Sequence, residues 1–255
     1  MLEYAIHGHG PTRAIALHGL FGDQRSFQPI LAAIDPESWS IALLDIRGYG
    51  RSAAIGGPFT MATIASDAIE IADHLGWDNF AVIGHSMGGK AALRLAIDAP
   101  TRVDRLVGIA PIWAGRLSFD AEQLAFFRSS VERVEAREAI IARSTGNRLP
   151  AFWCKRMAEI SSRSSSRSAY AGYLESFVHE DFEAAAAALN QEALIMAGAR
   201  DNANVEMVRT HWKPKLRHAE LVVLQDCGHW PIHEAPLHVA ALLEQFLSKT
   251  RSTTA

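Results

Sequence analysis

The chain has 255 residues, of which 49% are hydrophobic, and its formal net charge is −3 at pH 7. A chain of this size and composition can bury a full core as one large domain, or as one domain with an insertion. Its scattered charges resemble neither the basic footprint of a nucleic-acid-binding protein nor a polybasic membrane patch. We therefore predict no nucleic-acid partner and no membrane partner.

The cysteines and the first residues favour a reducing compartment. Cys154 and Cys227 are widely spaced and do not indicate a disulfide framework. Residues 1–13 do not have the charged head and long apolar run of a secretory signal. No apolar stretch approaches the roughly 20 residues that a membrane helix needs. We expect a cytoplasmic protein, either a monomer or a homodimer.

Strands and helices alternate through the first 111 residues. The predicted strands are 2–6, 13–19, 40–46, 79–84 and 103–111, and the predicted helices are 26–34, 60–75 and 87–98. The strands are continuous apolar runs, which is typical of a parallel sheet covered by helices on both faces. This part of the chain therefore predicts an α/β fold.

The alternation stops after Pro111. Residues 112–191 contain helical patterns, many aromatic side chains and no convincing strand, and the serine-rich stretch 161–168 within them is expected to be a mobile loop. The sheet pattern then resumes with strands at 192–198 and 219–224, a helix near 204–215 and a closing helix over 236–247. We predict a core formed by 1–111 and 192–255, interrupted by a helical cap over 112–191.

The sequence Gly84-His85-Ser86-Met87-Gly88 stands between a predicted strand and a predicted helix. It matches G-x-S-x-G, the turn that presents a nucleophilic serine above the ends of the strands. Glycines are needed on both sides because side chains there would collide in so tight a bend. The start of the following helix also directs backbone N–H groups at the place where negative charge would develop. Ser86 is therefore the predicted nucleophile.

A serine hydroxyl needs a base within hydrogen-bond reach, and the base needs a group that orients it. His229 lies in the loop after the last predicted strand, at the same edge of the sheet as Ser86, and is the predicted base. Asp201 follows another strand and gives the order serine, acid, histidine that this architecture expects. Asp120, at the start of the insertion, is the alternative acid.

Acyl transfer also creates a negative oxygen, which needs two preorganised N–H donors. We predict that the amides of Leu20, in the loop after the second strand, and Met87, after the nucleophile, supply them. Candidates for the substrate pocket are Phe21, His85, Trp113, Phe126, Trp153 and Trp230. The alternative for the aromatic residues is that they pack the helices of the insertion onto the core.

The spacing of His229 and His233 could also bind zinc on a helix, because the two side chains are one turn apart. Pro231 lies between them, and no glutamate follows His229 as it does in H-E-x-x-H. We therefore predict no metal site, and we expect no cofactor.

Five motifs together resemble the α/β-hydrolase superfamily, and small bacterial serine esterases in particular. They are LHGLFGD, DIRGYGRS, GHSMGG, AGARD and GHWPIHEAP. The resemblance implies about seven mostly parallel strands flanked by helices, with the insertion as a lid over the site. It implies a small-molecule substrate: a carboxylic ester, thioester or lactone of small to medium size, partly apolar, cleaved through an acyl-enzyme.

The same fold hosts many chemistries, so three alternatives to an esterase stay open. The first is a lyase like the menaquinone-pathway enzyme that eliminates pyruvate with the same triad. The second is a cofactor-free perhydrolase. The third, from a different class, is a ligand receptor with a hydrolase-like fold and no activity.

Overall fold

Seven strands form one sheet in the computed structural model, which describes residues 1–248. They are β1 (Tyr4–His7), β2 (Thr12–Leu17), β3 (Trp39–Leu44), β4 (Phe80–His85), β5 (Val103–Ile109), β6 (Glu192–Gly198) and β7 (Ala219–Leu224). Their order across the sheet is β1-β3-β2-β4-β5-β6-β7. β1 pairs antiparallel with β3, and the other neighbours pair parallel. The predicted sheet of seven mostly parallel strands is confirmed.

Helices connect and flank these strands. They are α1 (Gln28–Leu31), α2 (Met61–His74), α3 (Met87–Asp98), α4 (Ala121–Ser129), α5 (Val134–Ser144), α6 (Ala151–Ser164), α7 (Arg167–His179), α8 (Glu183–Ala186), α9 (Asn202–Met207), α10 (Lys213–Lys215), α11 (Pro231–Glu234) and α12 (Pro236–Leu247). Short 3-10 helices span Gln24–Phe27 and Gly50–Ser52, and a π-helix spans Val208–Trp212. Within residues 1–248, every helix is too short or too polar to cross a membrane. The cytoplasmic location and the oligomeric state stay predictions.

The sheet is buried on both faces because helices cover each face, and successive side chains of a strand point to opposite faces. In β4, Phe80 and Val82 pack in the core that includes α2 and α3. Their neighbours Ala81 and Ile83 pack in the second core, which includes α1 and α12. This two-sided burial explains the continuous apolar runs of the strands. Only the ends of the strands are left uncovered by these helices.

Residues 112–191, called the insertion below, contain α4 to α8 and connect β5 to β6. The buried Lys90 of α3 holds both ends of this segment. Its Nζ donates to the carbonyl oxygens of Gly115 (2.8 Å), Phe177 (2.9 Å) and Glu180 (2.7 Å). Burial lowers the pKa of Lys90 to about 8. Because α3 begins directly after the predicted nucleophile, the insertion is anchored on the helix that follows Ser86.

The serine-rich stretch 161–168 is mostly helical. α6 and α7 include all of it except Ser165 and Ser166, so the prediction of a loop over the whole stretch is wrong. Arg137 donates from Nη1 to the hydroxyl of the buried Ser161 (3.0 Å), and the Ser166 hydroxyl caps α7 by accepting from its first turn (3.2 Å). Short hydroxyl side chains are stable in and beside helices where they find such partners.

Candidate active site

Ser86 stands on the bend between β4 and α3 with a backbone conformation that few non-glycine residues adopt. Its φ is +54° and its ψ is −118°. Its amide donates to the carbonyl oxygen of Ile109 (3.0 Å), and its own carbonyl oxygen accepts from the amides of Gly89 (2.9 Å) and Ile112 (3.0 Å). These bonds hold the strained residue in place, as is typical of functional sites.

The glycines of this bend are required because other backbone segments approach them closely. A Cβ atom on Gly84 would lie 2.3 Å from the carbonyl oxygen of Gly88. A Cβ atom on Gly88 would lie 2.1 Å from the carbonyl oxygen of Leu17 in β2. The G-x-S-x-G pattern therefore follows from the close packing of α3 against β2 and β4.

Three side chains from three strand ends meet at the carboxyl edge of the sheet. The hydroxyl of Ser86 donates to Nε2 of His229 (2.8 Å), and Nδ1 of His229 donates to Oδ2 of Asp201 (2.6 Å). Because an ionised carboxylate can only accept, Nδ1 carries the ring proton and Nε2 is free to accept one. This arrangement can activate a serine hydroxyl as a nucleophile.

Asp120 lies elsewhere. It is the N-cap of α4, where its carboxylate accepts from the amide of Gln123 (2.8 Å) while the Gln123 side chain accepts from the Asp120 amide (3.1 Å). This capping box explains the residue as a helix start. The structure thus brings Asp201, rather than Asp120, to the imidazole of His229.

The backbone of His229 is fixed from both sides. Its amide donates to the carbonyl oxygen of Ser144 at the end of α5 (2.9 Å), and its carbonyl oxygen accepts from Nε2 of His85 (2.8 Å). Burial, together with the neighbouring His229, lowers the pKa of His85 to about 3. His85 is therefore neutral at physiological pH, and its ring N–H holds the backbone of His229 in place.

The loop after β2 runs beside the nucleophile. A Cβ atom on Gly19 would lie 3.0 Å from Cβ of Ser86. Two buried side chains donate to carbonyl oxygens of this loop: Nδ1 of His18 to Gly19 (2.9 Å) and the hydroxyl of Tyr49 to Leu20 (3.0 Å). These bonds fix the direction in which the loop amides point.

The amides of Leu20 and Met87 are the predicted oxyanion donors. Neither N–H group has a hydrogen-bond acceptor in the described part of the chain, and both residues line the same cavity as Ser86. Buried N–H groups are almost always paired, so two free ones beside a nucleophile can receive a negatively charged oxygen.

A cavity of about 600 Å³ opens above Ser86. This volume is in the range of small-molecule sites, which are also mostly apolar. The predicted pocket residues in its wall are Phe21, Trp113 and Trp230. Apolar wall residues that the sequence analysis did not single out come mainly from the insertion: Leu117, Phe119, Phe127, Ile140, Ile141 and Phe177.

Among the described residues 1–248, three of the predicted pocket residues do not line this cavity: His85, Phe126 and Trp153. Phe126 packs against the guanidinium of Arg143, 4.7 Å from its ring centroid, whereas the next residue, Phe127, lines the cavity. Trp153 packs edge-to-face on Trp230, with 5.9 Å between the ring centroids. Neighbouring residues on a helix point about 100° apart, so one of two adjacent phenylalanines faces the cavity.

A match that covers most of the chain shows its family. Residues 15–236 match the family model described as the alpha/beta hydrolase fold. The chain belongs to this family. The fold predicted from the five motifs is thereby confirmed for this α/β hydrolase.

Solved structures similar to this α/β hydrolase include an esterase from Exiguobacterium antarcticum. That structure has a TM-score of 0.87 and 18% identity, and the match covers 97% of this chain and 96% of that one. A bromoperoxidase from Bacillus anthracis gives a TM-score of 0.85 with 19% identity, covering 96% of this chain and 95% of that one. At these identities the likeness shows the shared fold.

A sequence relative from Variovorax paradoxus carries the provisional name carbamate hydrolase RutD. It is 32% identical to this α/β hydrolase over 167 residues, which are 62% of this chain and 59% of the relative. The matched region therefore spans less than two thirds of that relative.

Proposed function

We propose that this chain is a serine hydrolase that cleaves carboxylic esters through an acyl-enzyme on Ser86. The observation that carries the proposal is the pair of hydrogen bonds from Ser86 to His229 (2.8 Å) and from His229 to Asp201 (2.6 Å), beneath an apolar cavity. Geometry of this kind supports the roles of Ser86 as nucleophile, His229 as its base and Asp201 as the group that orients the base.

In the first half of the reaction, Nε2 of His229 takes the hydroxyl proton as Oγ of Ser86 bonds to the ester carbonyl carbon. Asp201 stabilises the imidazolium that forms. The amides of Leu20 and Met87 donate to the oxyanion, and each such donor contributes roughly 3–4 kcal/mol to transition-state stabilisation.

The oxyanion then collapses, and the bond to the leaving oxygen breaks while that oxygen takes the proton from Nε2 of His229. In the second half, His229 takes a proton from water as the water oxygen attacks the acyl-enzyme. The carboxylic acid leaves when His229 returns the proton to Oγ of Ser86, which restores the starting state.

The cavity supports a partly apolar substrate. Its volume of about 600 Å³ suits a small to medium ester, and most of its wall is aliphatic or aromatic. The insertion acts as the cap of the site in this proposal, because it contributes wall residues from Leu117 to Phe177. Lys90 bonds to both ends of the insertion and so fixes the position of this wall relative to Ser86.

Two measurements test the proposal. The first is hydrolysis of p-nitrophenyl esters from acetate to decanoate, with a thioester, a lactone and a carbamate in the same panel. The second is covalent labelling by a fluorophosphonate, with the labelled peptide identified by mass spectrometry. We expect ester turnover and a label on Ser86. Absence of both would contradict the proposal.

Labelling, together with separate assays for elimination and for peracid formation, separates the alternatives. A receptor with an inactive site would leave Ser86 unlabelled. A lyase of the menaquinone type would be labelled but would prefer proton abstraction from its own substrate to ester cleavage. A perhydrolase would be labelled and would form a peracid from a carboxylic acid and hydrogen peroxide faster than it hydrolyses esters.

A further inference from the structure

The loop that carries His229 is held by a buried carboxylate. Glu234, the last residue of α11, has a side chain that is only 1% exposed. Its oxygens accept from the amide of Gly228 (2.9 and 3.0 Å) and from the amide of Trp230 (3.0 Å). These two amides lie on either side of His229 in the chain, so one carboxylate fixes the peptide groups that flank the base.

The charge that balances Glu234 comes from the insertion. Arg148, in the connection between α5 and α6, forms an ion pair with Glu234. Its Nη2 also donates to the carbonyl oxygen of Asp226 (2.7 Å), in the same loop as His229. An isolated buried carboxylate is strongly disfavoured, and the guanidinium of Arg148 supplies the charged partner of Glu234.

An ionised carboxylate is the side chain that fits this place. Within residues 1–248, the hydrogen-bond partners of the Glu234 oxygens are all donors: two backbone amides and one guanidinium. A glutamine cannot accept from all three: if its oxygen takes the place of Oε1 beside the two amides, its NH₂ group faces the guanidinium of Arg148, and the two donors repel each other. The site therefore selects for the carboxylate itself, beyond its size and shape.

We infer that Glu234 is a positioning residue for His229, and that Arg148 connects the insertion to the catalytic base through it. This inference rests on the proposed function. Glu234 acts by fixing Gly228 and Trp230, and thereby the direction of the imidazole toward Ser86. A displacement of about 1 Å in a catalytic group can reduce the rate about 100-fold.

The test is Glu234→Gln in the full chain, with kcat and KM measured on a p-nitrophenyl ester. We expect kcat to fall about 10- to 100-fold while KM stays within about twofold. The rate of fluorophosphonate labelling at Ser86 should fall by the same factor as kcat, because both steps need the oriented imidazole. A loss of fold alone would lower the active fraction without lowering the rate per labelled site.

Asp67→Asn is the matched control. Asp67 is a carboxylate with 8% side-chain exposure that forms two hydrogen bonds with Arg47 (2.6 and 2.8 Å), away from the His229 loop. This variant should lose stability but keep kcat within about twofold. Suppose that the wild-type protein is active and labelled. If Glu234→Gln also keeps kcat within twofold of the wild type, the inference is overturned and the proposed function stands.

Arg148 provides a second variant in case Glu234→Gln does not fold. Its side chain is 38% exposed, so Arg148→Met leaves no cavity in the core, although it leaves the carboxylate of Glu234 without its charged partner. Arg148→Met should lower kcat at least several-fold at constant KM, and Arg148→Lys, which keeps the charge, should restore most of the loss. Unchanged kcat in Arg148→Met would overturn the inference. A wild-type protein that neither cleaves esters nor labels would remove the proposed function and this inference together.

Discussion

Nε2 of His85 donates a hydrogen bond to the carbonyl oxygen of His229 at 2.8 Å, across 144 positions of the chain. The residue immediately before the nucleophile thus holds the backbone of the base. The bond joins the end of β4 to the loop after β7, although β5 and β6 lie between these two strands in the sheet. The segment that carries Ser86 and the loop that carries His229 are therefore fixed to each other directly.

This buried neutral histidine should make the stability of the protein depend on pH. The pKa of His85 is about 3 in the folded protein and 6.5 in the unfolded chain, so between these values the unfolded state binds more protons. As pH falls below about 6.5, His85 alone should lower the free energy of unfolding by about 1.4 kcal/mol per pH unit. Above about 6.5 this residue should contribute no pH dependence.

Urea unfolding of the wild type and of His85→Gln, from pH about 7 to about 5, checks this prediction. The glutamine amide can still donate to the carbonyl oxygen of His229, but it does not titrate. The decline in unfolding free energy should therefore be shallower in the variant by about 1.4 kcal/mol per pH unit. Parallel declines in the two proteins would show that His85 titrates normally.

Alanine in place of the glycines of the bend at Ser86 should destabilise the protein for steric reasons. In Gly88→Ala the new Cβ would meet the carbonyl oxygen of Leu17 at 2.1 Å, so the backbone must move. We expect a loss of about 2–3 kcal/mol or more in the free energy of unfolding. Gly56→Ala is the control, because no atom of residues 1–248, apart from the residue itself and its chain neighbours, lies within 4 Å of the position its Cβ would take. Equal unfolding midpoints for the two variants would count against the packing described for the bend.

The two adjacent phenylalanines of α4 should differ in their effect on substrate. Phe127 lines the cavity and stacks on Phe119 with 5.0 Å between ring centroids, whereas Phe126 packs against Arg143. Phe127→Ala should lower kcat/KM for longer acyl esters about 10-fold, because apolar contacts with the substrate are lost. Phe126→Ala should change it less than about twofold. The opposite order across an ester series would mean that the pocket lies elsewhere.

The acid of the site can be identified by a pair of matched substitutions. Asp201→Asn removes the charge that orients and stabilises the imidazole of His229, and should lower kcat about 10³- to 10⁴-fold. Asp120→Asn alters an exposed helix cap and should leave kcat within about twofold. Steady-state kinetics on one p-nitrophenyl ester measures both. Comparable losses in the two variants would contradict the assignment of Asp201.

The core of the fold and the meeting of Ser86, Asp201 and His229 were predictable from the sequence. Each of these residues follows an apolar run that is long enough for one buried strand. Parallel strands place their carboxyl ends on one edge, so residues that follow different strands must converge there. The G-x-S-x-G pattern then marks which serine stands on the bend.

The wall of the cavity was not predictable in the same way. In α4 the apolar residues Leu124, Phe126 and Phe127 spread around the helix, so periodicity does not select the aromatic residue that faces the site. His85 looked like a pocket residue because its partner, the carbonyl oxygen of His229, is 144 positions away. The serine-rich stretch looked like a loop because its partner Arg137 belongs to another helix of the insertion.

The central claim is that the Ser86 hydroxyl is the nucleophile of an ester hydrolase, and Ser86→Ala tests it most directly. The measurement compares p-nitrophenyl ester turnover and fluorophosphonate labelling in the wild type and the variant, at matched urea unfolding midpoints. We predict a loss of kcat of roughly 10³-fold or more and no label in the variant. Turnover and labelling of a folded Ser86→Ala protein at wild-type levels would contradict the account.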